Sequence, residues 1–133
     1  MREIISLQIG QCGNQVGEKF WEVIAKEHGL TTDGIFEGNA LQKQRLNVYF
    51  SESSSGRYVP RSINVDLEPG TLDTMKSGKL GDLFKPQSYI FGHGGAGNIW
   101  AKDIIQKEQI CVRMFLKWFE KRQKVVMHFK DSN

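Results

Sequence analysis

Three glycine-containing turns hold most of the side chains in this sequence that could do chemistry. They cover residues 10–14, 66–71 and 91–98, and each follows a short apolar run that is typical of a strand. A helix that opens after such a turn presents unpaired backbone N–H groups and the positive end of its dipole, so phosphate is its natural ligand. The pattern therefore favours a phosphate-binding protein.

The turn at residues 10–14 reads Gly-Gln-Cys-Gly-Asn. Gly10 and Gly13 would let the backbone approach an anion closely, and Gln11 and Asn14 would add neutral hydrogen-bond donors. Taken alone, the motif is equally typical of an ordinary tight connection between a strand and a helix. Both interpretations, a phosphate loop and a structural turn, stay open at this point.

Two carboxylates, Asp66 and Glu68, stand at the end of a predicted strand, where open α/β sheets place their ligands. Carboxylates beside a nucleoside phosphate usually hold Mg²⁺, often through water. The alternative is an ordinary acidic residue at the start of a helix, just before Gly70 and Thr71. Asp66 and Glu68 are therefore the candidate metal residues.

The third turn contains Gly92, Gly94 and Gly97, which spell G-x-G-x-x-G between a predicted strand and a predicted helix. This matches the dinucleotide-binding fingerprint in form. The acid that the fingerprint expects about 20 residues later has only Glu120 as a candidate, and Glu120 lies within a predicted helix. A dehydrogenase is therefore disfavoured, and no Ser/His/Asp or Cys/His nucleophile arrangement stands out.

The elements that must position these turns alternate between strand and helix, which predicts an α/β fold with a largely parallel sheet. Val16, Phe20, Val23 and Ile24 are spaced as one apolar face of the first helix. Residues 31–45 are polar and are predicted to form a surface loop. The predicted strands are 3–9, 46–50, 62–66, 89–91 and 125–129, and the predicted helices are 11–28, 71–77 and 100–124.

Composition limits the function classes. The chain has 133 residues, enough for one domain, and no apolar run of about 18 residues that could span a membrane. Polar and acidic residues interrupt the N-terminal apolar stretch, so no secretory signal is predicted. Two cysteines indicate neither a disulfide framework nor a metal site. The excess of positive charge after residue 100 is spread along a predicted helix, which favours a solvated face over a nucleic-acid site.

The order and wording of these motifs resemble the N-terminal part of the beta-tubulins. The resemblance covers nearly all of residues 1–102. It rests on Met-Arg-Glu-Ile at 1–4, Gly-Gln-Cys-Gly-Asn-Gln at 10–15, Arg-Leu-Asn-Val-Tyr-Phe at 45–50, Gly-Arg-Tyr-Val-Pro-Arg at 56–61, Val-Asp-Leu-Glu-Pro-Gly-Thr at 65–71, and Ala-Gly-Asn with Trp-Ala-Lys at 96–102.

The resemblance implies a Rossmann-like parallel sheet with flanking helices, the N-terminal part of a domain that binds GTP and Mg²⁺. It also implies a chain that builds microtubules as an alpha–beta heterodimer with other tubulin subunits. Such a chain folds with the cytosolic chaperonin and tubulin-folding factors. It lies in the cytoplasmic cytoskeleton and binds neither nucleic acid nor membrane. Glu68 would contact phosphates and Mg²⁺, with Asp66 close behind it. The implied nucleotide residues are Gly10, Gln11, Cys12, Asn14, Glu68, Ala96, Gly97 and Asn98, and the implied nascent-chain tag is Met1, Arg2, Glu3 and Ile4.

The sequence departs from the tubulin pattern after Lys102. Residues 103–133 keep only the hydrophobic period of a helix and end in a basic tail, and the Gly-Gly-Gly-Thr-Gly-Ser-Gly phosphate loop is absent from the 133 residues. We therefore expect residues 1–133 to be an incomplete part of the domain that binds GTP weakly or not at all and does not hydrolyse it alone. The alternative function is a truncated tubulin-like protein without nucleotide binding, which acts only through chaperones or tubulin.

Overall fold

A three-stranded parallel sheet carries the turns of the candidate site. The computed structural model describes residues 3–91, together with Val112 and Leu116. The sheet has the order β1–β4–β5 and consists of β1 (Ser6–Ile9), β4 (Ser62–Asp66) and β5 (Tyr89–Phe91). All three strands fall where the sequence predicts them, and both pairings are parallel. The expected α/β sheet is confirmed in the described part of the chain.

Helix α1 (Gly10–Glu27) begins directly at the end of β1 and packs on one face of the sheet. The helix is confirmed, but of its predicted apolar face only Ile24 packs against the core. Val16, Phe20 and Val23 are 64%, 40% and 45% exposed. The buried positions of α1 instead follow one another at helical spacing, on a different side of the helix. They are Gly10, Asn14, Gly17, Trp21 and Ala25.

The predicted loop holds at 31–39 but is wrong at 40–45, and the predicted strand at 46–50 is wrong except at Phe50, because α2 (Ala40–Tyr49) occupies residues 40–49. Its start is a capping box. The Asn39 side chain accepts a hydrogen bond from the Gln42 backbone N–H at 3.0 Å, and the Gln42 side chain accepts one from the Asn39 backbone N–H at 2.9 Å. These reciprocal bonds fix the first turn, although only Leu46 of this helix is buried.

A hairpin follows α2. Strands β2 (Phe50–Glu52) and β3 (Tyr58–Pro60) pair antiparallel across a turn that contains Gly56, and β3 is an element that sequence reasoning missed. Helix α3 (Pro69–Ser77) follows β4. Two short 3₁₀ turns, Gly81–Leu83 and Pro86–Ser88, then lead into β5.

The hydrophobic core contains Tyr89 of β5 and draws on α1, α2, α3 and the hairpin. Trp21 is completely buried at its centre and makes edge-to-face contacts with Phe50 and Tyr49, at centroid distances of 5.5 and 6.5 Å. Such aromatic pairs add stability beyond the area they bury. The other buried members are Ala25, Leu30, Leu46, Tyr58, Leu72, Met75, Leu80, Leu83, Phe84 and Tyr89.

Two compact units, Met1–His93 and Gly94–Asn133, divide the chain. In the second unit the structure describes Val112 and Leu116, which are helical, as the predicted helix at 100–124 requires. The rest of that helix and the predicted strand at 125–129 lie outside the described residues. No helix among the described residues is long and apolar enough to cross a membrane.

Candidate functional site

The start of α1 has the properties of an anion site. The chain passes from extended Ile9 into the helix at Gly10, whose φ of +73° lies in the left-handed region that favours glycine. No side chain caps this helix, and its first turn has no acidic residue. The first backbone N–H groups therefore keep their positive potential for an external acceptor. Gln11 and Cys12 are exposed beside them.

The acidic turn after β4 places its two carboxylates differently. Asp66 is only 5% exposed, and its Oδ1 accepts a hydrogen bond from the Glu68 backbone N–H at 3.3 Å. Its Oδ2 is buried without a partner among the described residues. Glu68 is exposed at the N-cap position of α3, where its side chain makes no capping hydrogen bond, and Pro69 follows it. Asp66 therefore shapes the turn, while the Glu68 carboxylate is accessible to a ligand.

The sheet brings the two turns to the same edge. Strands β1 and β4 are neighbours, and their last register pair joins Ile9 to Val65. Neighbouring strands lie about 4.8 Å apart, so Gly10 and Asp66 begin their turns side by side at the carboxyl ends of the strands. Strand β5 ends at this edge too, because Phe91 is the register partner of Asp66. This is the position where open parallel sheets bind ligands.

The donor set at this edge fits Mg²⁺ in the presence of phosphates. Mg²⁺ commonly takes one or two carboxylates from the protein and completes its shell with water and substrate phosphate oxygens. Glu68 supplies an accessible carboxylate, and Asp66 lies behind it with one unpartnered oxygen. Within residues 3–91 no group of three or more His, Cys, Asp or Glu side chains comes together, so these residues provide no all-protein metal cage.

Several predicted site residues lie outside the described residues. They include the third turn, with Ala96, Gly97 and Asn98, and the first two residues of the N-terminal motif, Met1 and Arg2. Glu3 and Ile4 of that motif are described and exposed. The Glu3 carboxylate forms an ion pair with Arg61 at 3.0 Å, and the Ile4 backbone N–H donates to the Val48 carbonyl at 2.9 Å.

Asn14 occupies a different place from the other predicted nucleotide residues. Its side chain is completely buried beneath α1, where its amide donates to the carbonyls of Gly10 and Val65. It therefore exposes no polar atom at the edge where Gln11, Cys12 and Glu68 are accessible.

A buried polar layer under α1 escaped the sequence reasoning. Ser62, Asn64 and Asp66 alternate with Ile63 and Val65 along β4, so the polar residues share one face of that strand. Gln8 and Tyr89 are both register partners of Asn64 and extend the layer across the sheet. All five polar residues are at most 7% exposed. The period-two alternation at 62–66 was the signal that could have revealed this face.

A cavity of about 340 Å³ lies away from this edge, between the hairpin and the segment from Gly81 to Pro86. Arg57 crosses it and donates from Nε to the Asp33 carbonyl at 2.6 Å. None of the predicted site residues within 3–91 lines this cavity. The candidate site is therefore at the carboxyl ends of the parallel strands.

Comparison with known proteins agrees with the resemblance seen in the sequence. The chain is 60% identical over 103 residues to the tubulin beta chain of Saccharomyces cerevisiae and 63% identical over 103 residues to the tubulin beta-6 chain of Gallus gallus. Each match covers 77% of this chain but only 22% and 23% of the relatives. The chain thus spans less than a quarter of the length of these relatives.

The match to the family is broader. Residues 3–114 of the 133 match the Tubulin/FtsZ family in its GTPase domain, which includes both turns at the carboxyl edge of the sheet and most of the described elements. The chain therefore belongs to the Tubulin/FtsZ family.

Proposed function

We propose that this chain contributes part of a GTP–Mg²⁺ site in a beta-tubulin-type subunit. The observation that carries the proposal is the register pair Ile9–Val65, which sets the uncapped start of α1 beside the turn that holds Glu68. A triphosphate needs both kinds of group at once, because backbone N–H groups bind its oxygens and a carboxylate holds the cation that neutralises it.

Each residue at the edge has its own role in this proposal. The first N–H groups of α1 and the Gln11 side chain bind phosphate oxygens, and Gly10 gives the backbone the left-handed turn that aims them outward. Glu68 holds Mg²⁺, directly or through water, and Asp66 fixes the Glu68 backbone by its hydrogen bond. Bound Mg²⁺ would supply charge stabilisation to the phosphates. Ala96, Gly97 and Asn98 are proposed to face the terminal phosphate.

The partners follow from the same proposal. As a beta-tubulin-type chain it would pair with alpha-tubulin and other tubulin subunits in microtubules of the cytoplasmic cytoskeleton, and it would fold with the cytosolic chaperonin and tubulin-folding factors. Support comes from the identity to tubulin beta chains over 103 residues.

Titration with a fluorescent GTP analogue, with and without Mg²⁺, tests the proposal on the 133-residue chain. The glycine-rich phosphate loop is absent from the sequence, so we expect saturable binding weaker than about 1 μM, which corresponds to about −8 kcal/mol. The binding should require Mg²⁺, and no hydrolysis should accompany it, because phosphoryl transfer depends on complete positioning of the phosphates.

The variant Glu68→Gln should weaken the Mg²⁺-dependent binding, since it removes the charge that holds Mg²⁺ but keeps the shape of the side chain. Glu37→Gln is the matched control, because Glu37 is also an exposed glutamate but lies in the loop before α2. Equal binding by wild type and Glu68→Gln would contradict the proposal.

A second candidate function is supported by the apolar side chains that β1 leaves exposed. Leu7 and Ile9 are 45% and 43% exposed, on the sheet face opposite Gln8 and α1. Exposed apolar side chains on an edge strand promote capture by chaperones. A tubulin-like chain without nucleotide binding, which acts only through chaperone or tubulin interaction, would show no saturable GTP binding at any concentration in the titration above.

A further inference from the structure

The side chain of Asn14 connects the start of α1 to the end of β4, in addition to the pairing of β1 with β4. Its amide nitrogen donates to the Gly10 carbonyl at 2.7 Å and to the Val65 carbonyl at 2.9 Å. The amide has two N–H donors, so both are used. The side chain is completely buried. Asn14 therefore acts on other parts of the protein and not on a ligand at the surface.

The two acceptors lie directly before the two turns of the candidate site. Gly10 precedes Gln11 at the start of α1, and Val65 precedes Asp66, whose carboxylate holds the Glu68 backbone. The register of β1 and β4 ends at the pair Ile9–Val65. The Asn14 amide therefore adds a tie between the two turns at the point where pairing of the strands stops.

The polar layer under α1 supplies a direct comparison. Asn64 is also completely buried in this layer, yet neither atom of its amide has a hydrogen-bond partner among the described residues. Burial of an amide is therefore not sufficient to create the tie. Among the described residues, only the Asn14 amide donates to both α1 and β4, through its nitrogen, while its Oδ1 has no partner there.

We propose that Asn14 is a positioning residue that sets the spacing between the phosphate-binding start of α1 and the Mg²⁺-binding turn at Glu68. The proposal rests on the GTP–Mg²⁺ function given above and assigns Asn14 a role other than nucleotide contact. Groups that orient metal ligands from behind typically change metal affinity by about 10- to 100-fold when they are removed. The expected ligand is a Mg²⁺-bound nucleoside triphosphate, which must touch both turns.

The first experiment needs no ligand. Amide hydrogen exchange is measured on the 133-residue chain carrying Asn14→Ala, with Asn64→Ala as the control that removes an equally buried amide. Exchange should rise together at Asn14–Val16, whose amides bond within the first turn of α1, and at Leu67–Glu68 in Asn14→Ala, beyond any general rise seen in Asn64→Ala. A rise at only one turn, or an equal rise in both variants, would overturn the proposal.

A second variant, Asn14→Ser, provides a test in case Asn14→Ala does not fold. A serine at a helical position can donate to the carbonyl four residues before it, so Asn14→Ser can keep the bond to Gly10 but cannot also reach Val65. Its exchange should rise at Leu67–Glu68 with a smaller rise at Asn14–Val16. Unchanged exchange at Leu67–Glu68 in this folded variant would also overturn the tie.

The second experiment measures binding of the fluorescent GTP analogue with Mg²⁺ to the same proteins. Asn14→Ala should bind at least about tenfold more weakly than Asn64→Ala, which corresponds to about 1.4 kcal/mol. Equal affinity would overturn the positioning role. If exchange changes as expected but the wild-type chain binds no nucleotide, the proposed function fails while the tie between the turns stands, so the two failures are distinguishable.

Discussion

Single residues under α1 show how closely this helix lies on the sheet. A Cβ atom at Gly17 would come within 2.4 Å of the carboxamide of Gln8, a distance that real Cβ atoms essentially never show, so any side chain here would displace Gln8 or the helix. Gln8 and Asn64 gain no hydrogen-bond partner from this close approach among the described residues. Because an unsatisfied buried polar atom costs about 1–3 kcal/mol, this layer stabilises the fold less than an apolar layer of the same shape would.

Tyr89 gives a test of this layer by pH. Burial raises the pKa of Tyr89 to about 12 from its ordinary value of 10.0, with a smaller contribution from Glu18. A raised pKa means that the folded state favours the neutral phenol. Its contribution to stability is therefore complete below about pH 10 and is lost as pH rises toward about 12.

Tyr89→Phe should remove this alkaline loss. Between about pH 10 and 12 the wild-type chain should lose on the order of 1.4 kcal/mol per pH unit more than the variant, measured by denaturant unfolding. At neutral pH the variant should be at least as stable as the wild type, because the buried Tyr89 hydroxyl that it removes has no partner among the described residues. An equal alkaline loss in both proteins would show that the Tyr89 hydroxyl stays accessible to water.

The elements differ in how well the sequence predicts them. Strands β4 and β5 match their predictions because β4 alternates polar with β-branched residues and β5 is a short apolar run that follows turn residues. Helix α1 is predicted in extent but not in orientation, because its apolar stripe at Val16, Phe20 and Val23 faces outward and close packing at Gly17 decides the buried side. The site is predictable where a turn follows a strand, whereas the tie through Asn14 depends on a contact between residues 51 positions apart.

Helix α2 was missed because its sequence lacks a strong amphipathic pattern and buries only Leu46. The local signal was the capping box of Asn39 and Gln42, which the polar composition around it concealed. A helix with so little burial depends more than usual on its cap.

Replacing this cap should therefore have a measurable cost. Asn39→Ala removes the acceptor for the Gln42 backbone N–H and should destabilise the chain by about 1 kcal/mol in denaturant unfolding. Asn47→Ala is the matched control on the same helix, because Asn47 is exposed and alanine is the better helix former at an interior position. It should leave stability unchanged or raise it slightly. A loss in Asn47→Ala as large as in Asn39→Ala would argue against a special role for the cap.

At the scale of the whole molecule, β1 is a lateral edge strand of the sheet, and its residues do little to prevent pairing with a strand of another chain. Strand β1 pairs only with β4 among the described residues, so one side of its backbone lies free within residues 3–91. Proteins usually guard such an edge with a charge, a proline or a bulge. The strand reads Ser-Leu-Gln-Ile and contains neither a charge nor a proline, and its apolar side chains Leu7 and Ile9 are about half exposed.

We therefore expect the 133-residue chain to self-associate through β1, and Leu7→Lys to oppose this. The substitution costs little burial because Leu7 is 45% exposed, yet it places like charges close together when two β1 strands pair. Sedimentation velocity over a range of concentrations should show the midpoint of association rising on the order of tenfold, about 1.4 kcal/mol. Leu41→Lys, at a 74% exposed position on α2, adds the same charge away from the sheet and should leave association unchanged. Association through the edge of β1 depends on the position of the added lysine, whereas an effect of net charge does not. If Leu41→Lys weakens association as much as Leu7→Lys does, net charge therefore governs association and the edge of β1 does not.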